Sequence, residues 1–127
     1  KMFINISNHS VSTWSQKQIE EAMSLGHGNP IDVEDTTNVS SKSSSQDIVE
    51  QAKRIVSVAM KQGCMAAMVQ GENVLTTIIV FLLTKNNIPC YAAVSERNTV
   101  EKRMENGDVV KTAVFVFSGF RQYPVLF

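Results

Sequence analysis

From Met2 to Val94 the chain alternates short apolar runs with stretches whose apolar residues recur at helical spacing. Few architectures accommodate that order. Met2-Phe3-Ile4-Asn5-Ile6-Ser7 is apolar and stops at the polar Asn8-His9-Ser10, as a buried strand does. Ser15-Gln16-Lys17-Gln18 then has the spacing of a helix N-terminal capping box. Ile19, Ala22 and Met23 fall on one face of that helix, and Gly26 or Gly28 is placed to end it in the left-handed region. After Asn29-Pro30 comes a second strand, Ile31-Asp32-Val33. A second helix is predicted from about Gln46, carried by Ile48, Val49, Ala52, Ile55, Val56, Ala59 and Met60, with Gly63 as its stop. Cys64 to Val69 reads as a third buried strand running into Gln70-Gly71-Glu72. Asn73 to Asn86 reads as a helix apolar on nearly all sides and therefore central. Ile88 to Val94 reads as a fourth strand ending at a Ser95-Glu96-Arg97 loop.

Strands separated by helices need crossover connections, and crossovers make parallel sheets with helices on both faces. Beyond Arg97 the pattern changes. Thr99 to Met104 and Asp108 to Phe117 flank Asn106-Gly107, a favoured hairpin turn. The predicted fold is α/β: a Rossmann-like three-layer sandwich, mostly parallel, with a C-terminal antiparallel hairpin. Its 127 residues, 43% of them hydrophobic, suit a single domain over 1–127. Asp35 to Ser45 is polar and serine-rich and is expected to be a mobile surface loop. No internal repeat is present.

The charge balance narrows function. Twelve Lys and Arg offset twelve Asp and Glu, whereas a protein that coats duplex nucleic acid needs a basic excess. The most apolar segment, Val74 to Leu83, is far short of a membrane span, and no signal-peptide core of ordinary length opens the chain. Cys64 and Cys90 lie in apolar runs, as reduced buried thiols do. A cytoplasmic protein is the expectation. The dinucleotide fingerprint, the P-loop, the nucleophile elbow and zinc-ligand spacing are all missing from the sequence; no cofactor and no metal are expected.

Ligands of such sheets sit beyond the carboxyl ends of the strands. That rule selects Asn8-His9-Ser10, Gln70-Gly71-Glu72 and Ser95-Glu96-Arg97. The second leads into a helix N-terminus, where free N–H groups favour an anion; the plainer alternative is a tight turn with Glu72 complementing the dipole. His9 is either a general acid or a solvated loop residue, and Asn8 and Ser10 either touch a ligand or cap turns. Arg97 and Arg121 either bind phosphate or pair with Glu96 or Glu101. Trp14 reads as core more readily than as a base-stacking platform.

Asn5-x-Ser7-Asn8-His9, Trp14-Ser15, Val69-Gln70-Gly71-Glu72 with Leu75-Thr76, Ala92-Ala93-Val94-Ser95-Glu96-Arg97 and the Phe115 to Tyr123 segment occur in that order. Together they resemble the small stand-alone CRISPR-associated proteins related to CARF (CRISPR-associated Rossmann fold) domains. The resemblance implies a homodimer that binds cyclic oligoadenylate, above all cyclic tetra-adenylate. It further implies a ring nuclease that cuts this messenger without metal and so ends type III CRISPR signalling. On that reading His9, Ser10, Glu72 and Arg97 are catalytic, with His9 protonating the leaving 5′ oxygen. Ser7, Asn8, Gln70, Gly71, Thr76, Ser95, Glu96 and Arg121 bind the ligand, and the N–H groups of Gly71 and Glu72 hold phosphate. A non-cleaving sponge or sensor and an interaction subunit without nucleotide are the alternatives.

Overall fold

The structure, a computed structural model, describes residues 1–126. The elements follow the order β1 (Met2–Ile6), a 3-10 turn (Val11–Thr13), α1 (Gln16–Gly26), β2 (Pro30–Asp32), α2 (Ser45–Lys61), β3 (Cys64–Val69), α3 (Asn73–Lys85), β4 (Cys90–Arg103) and β5 (Val109–Gln122). The five strands form one sheet in the order β2-β1-β3-β4-β5. All neighbours are parallel except β4 and β5, which are antiparallel. This is an α/β fold with a mixed, mostly parallel sheet, consistent with the Rossmann-like reading.

Side chains alternate across a strand, and both faces of the central strands are covered. Ile4, Ile6, Ala67 and Val69 pack against Ile48, Ile55, Leu75, Ile79 and Leu83 of α2 and α3. Phe3, Ala66 and Met68 face the other way, toward α1 and Trp14. Gly26 is required there: a Cβ on it would stand 2.5 Å from the Cβ of Phe3. The helix ends at Gly26, and the left-handed residue that caps it is His27 (φ 55°), where Gly26 or Gly28 was expected. Gly63, at φ 84°, does follow α2 as expected.

Three further expectations are corrected. α3 is not buried all round: Leu75, Ile79 and Leu83 face the core, while Val74 and Phe81 are about half exposed. Apolar composition alone does not distinguish a central helix from an outer one with an apolar outer face. The 35–45 segment is irregular but tied down, because the buried Gln51 amide donates to the Thr36 and Asn38 carbonyls and Val39 packs on the core.

The largest correction concerns the last strands. Ser95-Glu96-Arg97 is not a loop; it lies inside a continuous 14-residue β4, paired with Phe117, Val116 and Phe115. β3 pairs with β4 only at Cys90 and Tyr91. Beyond them β4 and β5 run on as a two-stranded ribbon, with a register shift at Val94/Ser95. Its connection is longer than the two-residue turn expected: Met104 N–H donates to the Asp108 carbonyl, and Gly107 takes φ 91°.

Candidate functional site

The connection of β1 leaves toward β2 through α1, while that of β3 leaves toward β4 through α3 on the opposite face. The strand order therefore reverses between β1 and β3, and a crevice opens at their carboxyl ends. A cleft of about 460 Å³ occupies that position on the α1 side, lined by His9, Ser15, Gln18, Gln70, Ser95 and Phe115 together with Thr13, Trp14, Met68, Ala93 and Phe117.

The loop that carries His9 is held by a set of polar bonds anchored on the buried Asn5. Asn5, 1% exposed, donates from Nδ2 to the His9 carbonyl and to Asp32 Oδ1, both at 2.8 Å. Trp14 Nε1 donates to the same His9 carbonyl at 3.1 Å. Asp32 gathers the other side of the loop, accepting from Ser10 Oγ at 2.8 Å and from Val11 N–H at 2.9 Å. Burial works to raise the Asp32 pKa, but the donors Val11, Asn5 and Ser10 outweigh it and hold the carboxyl below its ordinary value. The backbone of His9 is thus pinned while its imidazole is exposed at the cleft.

On the far wall, Gln70 Oε1 accepts from Ala93 N–H at 2.6 Å and so bridges the end of β3 to β4. Ser15 caps α1, its hydroxyl accepting from Gln18 N–H. The Gln18 side chain does not complete a capping box. It is buried in the wall, donating to Met68 Sδ at 3.6 Å, a weak acceptor. Trp14 is both core and wall: its ring packs near Phe3 and Phe120 while lining the cleft.

Of the residues singled out from sequence, the structure brings His9, Gln70 and Ser95 into the cleft. Arg97 stands two residues beyond Ser95 on the same ribbon face, opposite Phe115. Glu96 points to the other face, opposite Val116, and Arg121 is exposed opposite Ala92. Ser10 is committed to Asp32, Ser7 donates to Asn5 Oδ1, and Asn8 accepts from Thr37. Glu72 caps α3, its two carboxylate oxygens accepting from the Val74 and Leu75 N–H groups. The carboxylate therefore occupies the helix terminus that was expected to take phosphate. Gly71, at φ 151°, makes the turn, and Thr76 lies within α3.

Sequence reasoning missed Thr13, Gln18, Met68, Phe115 and Phe117 as lining. Gln18 reads from the sequence only as part of a capping box, and Phe115 and Phe117 as part of the Phe115 to Tyr123 segment; Thr13 and Met68 belong to no motif. An alternation count on Phe115 and Phe117, both on the Ser95 side of a strand pair, is the one signal that pointed there. The thiols play no part in the cleft: both cysteines are buried, and burial pushes Cys64 up to about 11 and Cys90 up to about 12. No helix among the described residues is long and apolar enough to cross a membrane.

Compared with known proteins, residues 1–121 match the model of the family described as Uncharacterized protein MJ1673 family. No curated protein and no solved structure matches the chain.

Proposed function

The chain belongs to the MJ1673 family, and we propose that it binds a cyclic oligoadenylate, cyclic tetra-adenylate before other rings, and cleaves it as a homodimer in CRISPR-associated antiviral signalling. The observation that supports this reading is the position of the cleft at the β1/β3 reversal, with His9, Gln70, Ser95 and Phe115 at its walls. Gln18 and Ser95 offer polar atoms to ribose or phosphate.

The chemistry is a transesterification that balances within the ligand. A ribose 2′ oxygen attacks the adjacent phosphorus, the P–O2′ bond forms and the P–O5′ bond breaks. The 2′ proton passes to water, and the 5′ oxygen takes one from His9, which solvent reprotonates. Two such cuts turn the four-nucleotide ring into two linear di-adenylates. A linear product with a 2′,3′-cyclic phosphate results. The protein's part is alignment and proton delivery. His9, fixed through its carbonyl by Asn5 and Trp14, is the proton donor. Ser10 and Glu72 shape the site instead of reacting.

A second reading, a cyclic-nucleotide sponge or sensor, is favoured by one feature: among the lining residues His9 alone carries an acid–base group suited to neutral pH. Incubation with cyclic tetra-adenylate in EDTA, followed by chromatography, separates the two. Linear di-adenylate with a cyclic phosphate from the native protein, and a turnover at least about a hundredfold slower from His9→Ala, is the expected result. Intact ring bound to protein selects the sponge or sensor. Intact, unbound ring overturns both.

A further inference from the structure

We propose that two copies of this chain pair antiparallel through the cleft-side faces of their β4–β5 ribbons, so that the tip of each ribbon brings Arg103 over the other copy's cleft.

Phe115 is 70% exposed although it lies in the middle of a strand. No third strand pairs with residues 95–117 among the described residues, and a two-stranded ribbon by itself is marginal in water. Something of matching chemistry covers it. The same segment carries four basic residues (Arg97, Lys102, Arg103, Lys111) and four acidic ones (Glu96, Glu101, Glu105, Asp108). That balance suits a self-complementary surface and not a polyanion.

The cross-strand rows on the cleft side show how the match works. Thr99 and Ala113, both small, form the middle row. Toward the cleft comes Arg97 opposite Phe115; toward the tip comes Glu101 opposite Lys111, an exposed ion pair at 3.7 Å. A two-fold axis across the middle row reverses the second ribbon. Arg97 then meets the partner's Glu101, and Phe115 meets the partner's Lys111, a cation over an aromatic face. One row further out, Ser95 in the cleft meets the partner's Arg103. Ribbons running the same way are blocked, because α1 packs on this face at the ribbon's base, where Glu21 accepts from Phe120 N–H at 3.0 Å.

This pairing adds a guanidinium to a cleft whose own lining has His9 as its one basic side chain. The pairing stands on the ribbon alone; the role of Arg103 toward an anion rests on the ligand reading above.

Light scattering on the full chain is expected to give twice 14.1 kDa. Because Cys64 and Cys90 are buried, a short bismaleimide reads only introduced thiols: Ala113→Cys links into dimers, while Val114→Cys, on the opposite face, does not. Ala113→Glu sets two like charges against each other at the axis and yields a monomer with an unchanged circular dichroism spectrum. In the dimer, Arg103→Ala weakens cyclic tetra-adenylate binding roughly tenfold. A monomer at tens of micromolar native protein overturns the pairing, as does linking through position 114 and not 113. A dimer that ignores cyclic tetra-adenylate keeps the pairing and removes the ligand reading; a monomer that binds it does the reverse.

Discussion

The parallel half of the sheet and the ribbon that leaves it are both β-structure, yet they are held by different forces. In β1 and β3, Phe3, Ile4, Ile6, Ala66, Ala67, Met68 and Val69 are at most 2% exposed, sandwiched between α1 on one side and α2 and α3 on the other. Apolar burial at about 25 cal/mol per Å² dominates there. In the ribbon, Val100, Val110, Val114 and Val116 are each 40–49% exposed, and the backbone ladder with its cross-strand pairs provides most of the cohesion. The cleft sits where the two regimes meet, with His9 and Gln70 from the rigid half and Ser95 and Phe115 from the ribbon. Its one wall is preorganised by the core, and its other wall depends on whatever the ribbon packs against.

Substitutions should separate the regimes sharply. Phe3→Ala removes the ring that packs against Trp14, Tyr91 and Phe120, and a loss of about 3–5 kcal/mol is expected in denaturant unfolding. An effect below about 1 kcal/mol would show that the aromatic cluster is not part of the folding core. Gly26→Ala drives a Cβ into Phe3, and a loss of about 1–3 kcal/mol is expected in spite of alanine's better helix propensity. A gain in stability would mean that the α1–β1 contact yields easily.

The Asp32 clamp makes a smaller, pH-dependent contribution. Because its folded pKa lies below the ordinary value of 3.8, its contribution is present above that pH and is lost as pH falls through the folded value. Asp32→Asn should flatten the acid limb of the stability profile and loosen the His9 loop, read by amide exchange at Val11. An unaltered acid limb would remove Asp32 from the clamp. Val110→Thr, on the exposed ribbon face, should shift unfolding by less than about 0.5 kcal/mol. A larger loss would place that face, and not the cleft-side face, against a partner.

Much of the rigid half was readable from sequence because its signals are local. The Ser15 cap, the helical spacing that buries Ala22 of α1 and Ile48, Ala52, Ile55, Val56 and Ala59 of α2, and the apolar runs of β1 and β3 each lie within a window of a few residues. Met23 and Met60, expected on the same faces, are instead 41% exposed, because spacing alone does not fix where a face ends. The strand-to-loop rule correctly pointed at Asn8-His9-Ser10 and Gln70-Gly71-Glu72, two of the segments around the cleft. At Ser95-Glu96-Arg97 it selected a residue that lines the cleft, Ser95, but misread strand as loop, since a polar tripeptide after an apolar strand resembles a loop unless its partner is known. Here the partner is Phe115 to Phe117, some twenty residues away, and its backbone groups complete the ladder.

Site chemistry shows the same division. Ser10 and Glu72 have the right residue types in the right loops, but Asp32 and the first N–H groups of α3 already engage them. Gln18 and Phe117 carry no ligand-binding signal of their own, and only the packing of α1 and β5 around the strand ends made them walls of the cleft. The sequence by itself determined the α/β class, the Ser15 cap and the apolar strands, because propensity and periodicity act between near neighbours. Only the tertiary structure decided that β4 continues past Val94, which hydroxyls and carboxylates remain uncommitted, and where the cleft opens. Those outcomes depend on hydrogen-bond partners and surfaces that meet across long stretches of chain, and no local pattern records them.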